Sequence, residues 1–344
     1  MNKKRLVSIL LVLFFLVPYL VFSFDRQDSV FELANIHYAH ENGITGKGVK
    51  VAVIDTSFVD LPELNLKEIV ILSPYSDKVT THGTAVASIV RRIAPDAEIY
   101  ALAHGGSWWT IFQALEWCLE NDIEIINMSI GNNGNNDEII KHILQPAMDK
   151  LYETDVVMVA SAGNAYFDAY YPASFDGVYA VSGVDYQNGK IINVGYNNAD
   201  WIDLTFLGKM CPVLTTSGNV GYSSGTSCSS PAVAGMFALL KQEYPQATKN
   251  ELFDLLTENG ITTPGIAGVF PVYPKKEEPK PDNPKPEDPP VDIPPTNDIE
   301  EQFNRYMRNK QRLNDELLDL LMDISKIQNV QVRETWLRKV IGEG

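Results

Sequence analysis

Cysteine is scarce in this chain of 344 residues: three are present, Cys118, Cys211 and Cys228, and no CxxC pair occurs. An odd count excludes a fully paired disulfide framework and hands the stability of the fold to its apolar core. Cations are also in deficit, with 28 Lys and Arg against 44 Asp and Glu and a formal charge of −16. Such an excess repels phosphate, which argues against nucleic acid and anionic membrane surfaces as partners. No HExxH motif is present, and His37 with His40 reads as a solvated face rather than a metal site. Strongly apolar runs of membrane-spanning length are limited to one, LVSILLVLFFLVPYLVFSF from Leu6 to Phe24, preceded by Lys3, Lys4 and Arg5. This is the pattern of an export signal cleaved after Ser23. The run is also long enough to cross a bilayer, so an uncleaved anchor through residues 6–24 is its rival. Both alternatives place the bulk of the chain outside the cytoplasm, either secreted or membrane-anchored.

What is present is an ordinary globular composition, 45% apolar and 21% charged. From Lys47 to about Glu258, short β-branched runs alternate with helix-period segments, as expected of an α/β fold with a parallel sheet between two helical layers. The runs VKVAVID (Val49 to Asp55), AEIYALA (Ala97 to Ala103), IEIINMSI (Ile123 to Ile130), VVMVASA (Val156 to Ala162) and GVYAVSGV (Gly177 to Val184) are nearly continuous in apolar residues. Strands buried on both faces read this way. Trp109 to Glu120 fits an amphipathic helix between the second and third. Asp55 and Asn164 fall at strand ends, where open α/β sheets place their ligand crevice.

The composition changes abruptly from Pro271 to Pro295, which holds ten of the twenty prolines among Lys, Glu and Asp. Residues 271–296 therefore read as a solvated, disordered linker between a domain spanning 24–270 and a helical segment spanning 297–344. In that segment Ile299, Phe303, Tyr306, Lys310, Leu313, Leu317, Leu320, Ile324 and Ile327 follow heptad spacing. The stripe serves either packing on a globular surface or self-association and partner binding through residues 299–327.

Amide hydrolysis by serine needs a base for the hydroxyl proton, a group that orients the base, and donors for the developing oxyanion. Ser227, in SSGTSCSSPAVAGMFALL, precedes an apolar helical run, which puts a hydroxyl in the positive field of a helix N-terminus. His82, in VTTHGTAVASIV, opens another such run, and Asp55 closes a buried strand. Taken singly, the Ser and His are ordinary helix-start residues and the Asp an unexplained carboxylate.

Together the segments VAVIDT, HGTAVAS and GTSCSSP resemble the signatures of the subtilases, in the family's order of acid, base and nucleophile. A GxSxG elbow is absent, because Ser229 stands at its second Gly, and the α/β-hydrolase alternative falls with it. The resemblance runs from about Ile36 to Leu240 and includes ITGKGVKVAVID, INMSIG, ASAGN and YPASFDGVYAVSGVD. It implies a subtilisin-like three-layer fold and a serine endopeptidase acting on polypeptides, with Asp55, His82 and Ser227 as the triad. It further implies that Asn164 is the side-chain donor of the oxyanion hole and that Ser129, Ile130 and Gly131 pair with an extended substrate. The alternative is a catalytically silent binding or scaffold protein that acts through its terminal helix.

Several features depart from the family pattern. Ser57 stands where a Gly is usual, and Cys228 follows the nucleophile where many subtilases carry Met, as either a small core filler or a reactive thiol. Phe24 lies 31 positions before Asp55, which implies folding without the usual N-terminal propeptide. The helix after His82 runs to Pro95 with no inserted loop, so the family's tight calcium loop is expected to be missing. No metal or other cofactor is expected, calcium being the one ion kept as an alternative.

Overall fold

The computed structural model describes residues 28–73, 81–132 and 137–276, residues 137 and 138 by main chain only. The export or anchor run, residues 277–296 of the linker and the heptad segment lie outside the described residues. Two compact units are distinguished, Met1–Lys276 and Glu277–Gly344, and all the described residues belong to the first.

The strands are β1 (Lys50–Asp55), β2 (Glu68–Ile71), β3 (Glu98–Ala103), β4 (Ile125–Met128), β5 (Val157–Ser161), β6 (Val178–Gln187), β7 (Lys190–Asn193) and β8 (Leu204–Leu207). They form one sheet in the order β2-β3-β1-β4-β5-β6-β7, with β8 also paired to β6. Every pairing is parallel except β6 with β7. A small antiparallel pair, β9 (Cys211–Leu214) and β10 (Val220–Ser223), stands apart. The helices are α1 (Ile36–Glu41), α2 (His82–Ile93), α3 (Trp108–Glu120), α4 (Asp137–Tyr152), α5 (Thr226–Glu243) and α6 (Lys249–Thr257).

Side chains alternate across each strand, so one strand serves two cores. Val51 and Val53 of β1 join Ile125, Val157 and Val159 in the core under α1, α2, α5 and α6. Ala52 and Ile54 join Ile126, Met128 and Met158 in the core under α3 and α4. The expected three layers are therefore present, and the continuous apolar runs are explained by burial on both faces. Helix α5 is buried along most of its length, from Cys228 to Leu240. Its approach to α2 depends on a missing side chain, since a Cβ on Gly235 would lie 2.6 Å from Ile93 Cβ.

Order 3-1-4 around β1 is a topological switch: the chain leaves β1 to one side for β2 and β3, then crosses to the other for β4. Open α/β sheets place their ligand crevice at such a point, outside the strands' carboxyl ends, and Asp55 is the last residue of β1. The compact unit continues beyond residue 270. Val272 and Tyr273 are buried, and Tyr273 N–H donates to Ala34 O at 2.9 Å while Asn35 Nδ2 donates to Tyr273 O at 2.9 Å. The Tyr273 hydroxyl donates to Glu243, which also pairs with Lys276 at 2.6 Å. The compact unit thus runs about six residues past the point at which composition changes, because proline content is blind to these partners. Among the described residues, no helix is long and apolar enough to cross a membrane.

Candidate active site

The Asp55 carboxylate is fully buried at the end of β1. An unpaired buried charge is costly, so its partners matter. Thr56 N–H donates to Oδ1 at 2.7 Å and Thr56 Oγ1 at 3.1 Å. His82 Nδ1 lies 3.0 Å from Oδ1 and 2.8 Å from Oδ2. With Nδ1–H donating to the acid, Nε2 is the nitrogen left to accept a proton. The ring keeps 45% of its side-chain surface exposed while its partner keeps none. Gly83 makes this approach feasible: a Cβ there would lie 2.3 Å from Ser57 O and 3.1 Å from Asp55 Cβ. The hydrogen bond to Asp55 raises the His82 pKa above its ordinary value; burial opposes this, and the negative fields of Asp55 and Cys228 add to it.

Ser227 is the second residue of α5, after Gly225 at φ 141°. A Cβ on Gly225 would sit 3.1 Å from Asn164 Oδ1, so glycine also lets the Asn164 amide come close. Asn164 Oδ1 accepts from Thr226 N–H at 2.8 Å and Thr226 Oγ1 at 3.2 Å. With the oxygen committed to two donors, the amide nitrogen is presented as a donor at the exposed end of an exposed side chain.

Pro231 lies inside α5 and has no N–H to give the carbonyl four residues earlier, which is that of Ser227. Ser129 Oγ fills the vacancy, donating to Ser227 O at 3.2 Å, and is itself joined to Ser230 Oγ and Asn127 Nδ2, each at 3.0 Å. The Ser227 hydroxyl in turn donates to Ser129 O at 3.3 Å. No hydrogen bond joins it to His82.

The structure thus brings Asp55 to His82, Ser227 to Ser129, and Asn164 to the start of α5. Ser129 turns its side chain into the fold, while Ile130 and Gly131 are partly exposed. Thr56, Thr226 and Ser230, which complete these contacts, lie within or next to the three motifs; Asn127 precedes Ser129 by two. Cys228 is buried, as are Cys118 and Cys211, and no disulfide joins any of the three. Hydrogen bonding to Cys211 holds the Cys228 thiol below its usual pKa against burial, with help from Ser223 and His82. Among the described residues, no group of three or more His, Cys, Asp or Glu has the arrangement of a metal site.

Such a constellation has the chemistry of a base, its orienting acid, a hydroxyl and an amide donor. The sequence profile of the subtilase family, Peptidase_S8, matches residues 46–284. The chain belongs to the subtilase family. Its relatives include the thermostable alkaline protease of Halalkalibacterium halodurans, 31% identical over 63% of this chain and 63% of that one. The minor extracellular protease Epr of Bacillus subtilis is 31% identical over 69% of this chain and 38% of its own length. Subtilisin Savinase of Lederbergia lenta is 30% identical over 65% and 89%. This subtilase therefore spans less than two thirds of the first two relatives. Two solved structures share its fold at 21% identity each: a lanthipeptide protease, TM-score 0.58 over 65% of this chain and 84% of that one, and MycP1 without its N-terminal propeptide, TM-score 0.60 over 70% and 94%.

Proposed function

We propose that this subtilase is an exported serine endopeptidase that hydrolyses peptide bonds through an acyl-enzyme. The observation that carries the reading is the buried Asp55 carboxylate on His82 Nδ1, at 2.8 and 3.0 Å, within a subtilase chain that also carries Ser227 and Asn164. In this mechanism His82 Nε2 takes the Ser227 proton as Oγ attacks the scissile carbonyl. Asn164 Nδ2 and the Ser227 N–H hold the resulting oxyanion, and His82 returns the proton to the leaving amine. Water then attacks the acyl-enzyme by the same route. The main chain of Ser129, Ile130 and Gly131 holds the substrate as an added strand.

Export rests on the run from Leu6 to Phe24, as a cleaved signal or an anchor, and is supported by relatives that include an extracellular protease. The linker then presents the peptidase unit relative to the heptad segment, which is assigned to self-association or partner binding. No cofactor enters the chemistry, and calcium is kept only as a structural ion.

A silent scaffold is the second reading, favoured by the Ser227 hydroxyl bonding to Ser129 O instead of His82. Catalytic hydrogen bonds often form only with substrate bound, so a direct test separates the two. A fluorophosphonate probe should label the full chain and fail to label Ser227→Ala. Labelling of neither, together with uncleaved casein, would establish the scaffold.

A further inference from the structure

We propose that Tyr170, backed by Phe167, plugs the space beside the catalytic hydroxyl and restricts this peptidase to polypeptides with a small residue, Gly, Ala or Ser, on the acyl side of the cut bond. The proposal rests on the peptidase reading and deepens it.

Adjacent strands β4 and β5 run on past their carboxyl ends as Ser129 to Asn132 and Ala162 to Asn164. The first extension meets the Ser227 hydroxyl through Ser129 O, and the second carries Asn164 to the start of α5. In this proposal a scissile carbonyl placed between Ser227 and Asn164 directs the side chain of its own residue toward the space between these extensions. Each has a glycine facing that space, and both glycines abut the same ring. A Cβ on Gly131 would lie 2.0 Å from Tyr170 Cε1, and one on Gly163 would lie 3.2 Å from Tyr170 Cδ2 and 2.9 Å from two Phe167 ring atoms. Tyr170 and Phe167 stack with centroids 5.2 Å apart and planes 19° from parallel. Two positions without side chains would leave a cleft there, and two aromatic rings fill it.

The rings are mounted firmly. Buried Asn197 accepts from Phe167 N–H at 3.3 Å through Oδ1, and its Nδ2 donates to Ala162 O at 2.7 Å and Phe167 O at 3.4 Å. Trp201 Nε1 adds a 3.2 Å bond to Phe167 O. On the other side, Tyr170 N–H donates to Ser174 Oγ at 2.8 Å, and Tyr171 exchanges both main-chain hydrogen bonds with Asn132, at 3.0 and 3.2 Å. The segment carrying the plug is thus stitched to both walls of the cleft. A bulky side chain must break this packing to enter, whereas a methyl or hydroxymethyl group need not.

The test uses the full chain and paired fluorogenic peptides that differ only in the acyl-side residue, Ala or Phe. Wild type is expected to favour Ala by about tenfold or more in kcat/KM, the range a filled pocket imposes on groups too large for it. Tyr170→Ala should move the ratio at least about tenfold toward Phe, and Tyr170→Phe, which keeps the ring, should retain the wild-type ratio. Tyr170→Leu takes the place of Tyr170→Ala if the latter does not fold, judged by circular dichroism. A wild-type preference for Phe, or a ratio unmoved by removing the ring, overturns the plug. Fluorophosphonate labelling that requires Ser227 distinguishes the failures: labelling with a Phe preference defeats the plug alone, and absence of labelling defeats the peptidase reading with it.

Discussion

The Asp55–His82 half of the site and the Ser227 half are built by opposite means. Asp55 and His82 meet through side chains, with a buried charge holding an exposed ring. Ser227 is placed through its backbone: Gly225 turns the chain, Pro231 leaves a carbonyl unserved, and Ser129 binds that carbonyl while accepting the hydroxyl. The first half is assembled before substrate arrives. The second is only half assembled, because the proposed mechanism asks the hydroxyl to exchange Ser129 O for His82 Nε2. What the contrast teaches is that orientation of the imidazole is stored in electrostatics and orientation of the hydroxyl in packing.

Removing the nucleophile should have the largest effect. Ser227→Ala is expected to lower kcat on a casein-derived peptide by about 10⁶, a magnitude taken over from subtilisin, with the thermal midpoint little changed. Asp55→Asn attacks the electrostatic half and should cost about 10⁴ in kcat, because an amide can support the wrong His82 tautomer. Retention of more than a tenth of activity would show that the pair is not the acid and base. Asn164→Ala should cost about 10²–10³ in kcat with little change in KM, again by the measure of subtilisin.

The smallest and most discriminating effect is the pH profile. His82 must be neutral to accept a proton, and its pKa is raised above 6.5, first by the Asp55 hydrogen bond. Activity should therefore be low in acid and rise through a midpoint above 6.5 in kcat/KM, and Asp55→Asn should shift that midpoint downward. The same linkage acts on stability with the opposite sense. A raised folded pKa contributes stability that is complete below the unfolded value near 6.5 and is lost as pH climbs through the folded value. The pair thus steadies the fold most where catalysis is least.

How much of this was legible in the sequence follows the same division. The strand ending at Asp55 and the helices opening at His82 and Thr226 were readable, because double-sided burial demands continuous apolar runs and helix starts carry short signatures. Gly83 and Gly225 were visible as motif letters, although the contacts that require glycine there, Ser57 O and the Asn164 amide, exist only in three dimensions. The service that Ser129 performs for Pro231 was not readable, since it joins residues about a hundred positions apart. Nor was the mounting of Tyr170, where Asn197 and Trp201 grip Phe167 from 30 and 34 residues away. Aromatics after Asn164 were apparent; the wall they press against was not.

One modest contact sets a rule for handling the protein. Because Tyr273 is hydrogen-bonded to both Ala34 and Asn35, the two ends of the described part of the compact unit form a clasp, and neither can be trimmed alone. A recombinant fragment stopped at residue 270, where composition invites the cut, would discard one jaw and leave Ala34 O and the Asn35 amide facing water. One carried to Lys276 keeps both jaws shut.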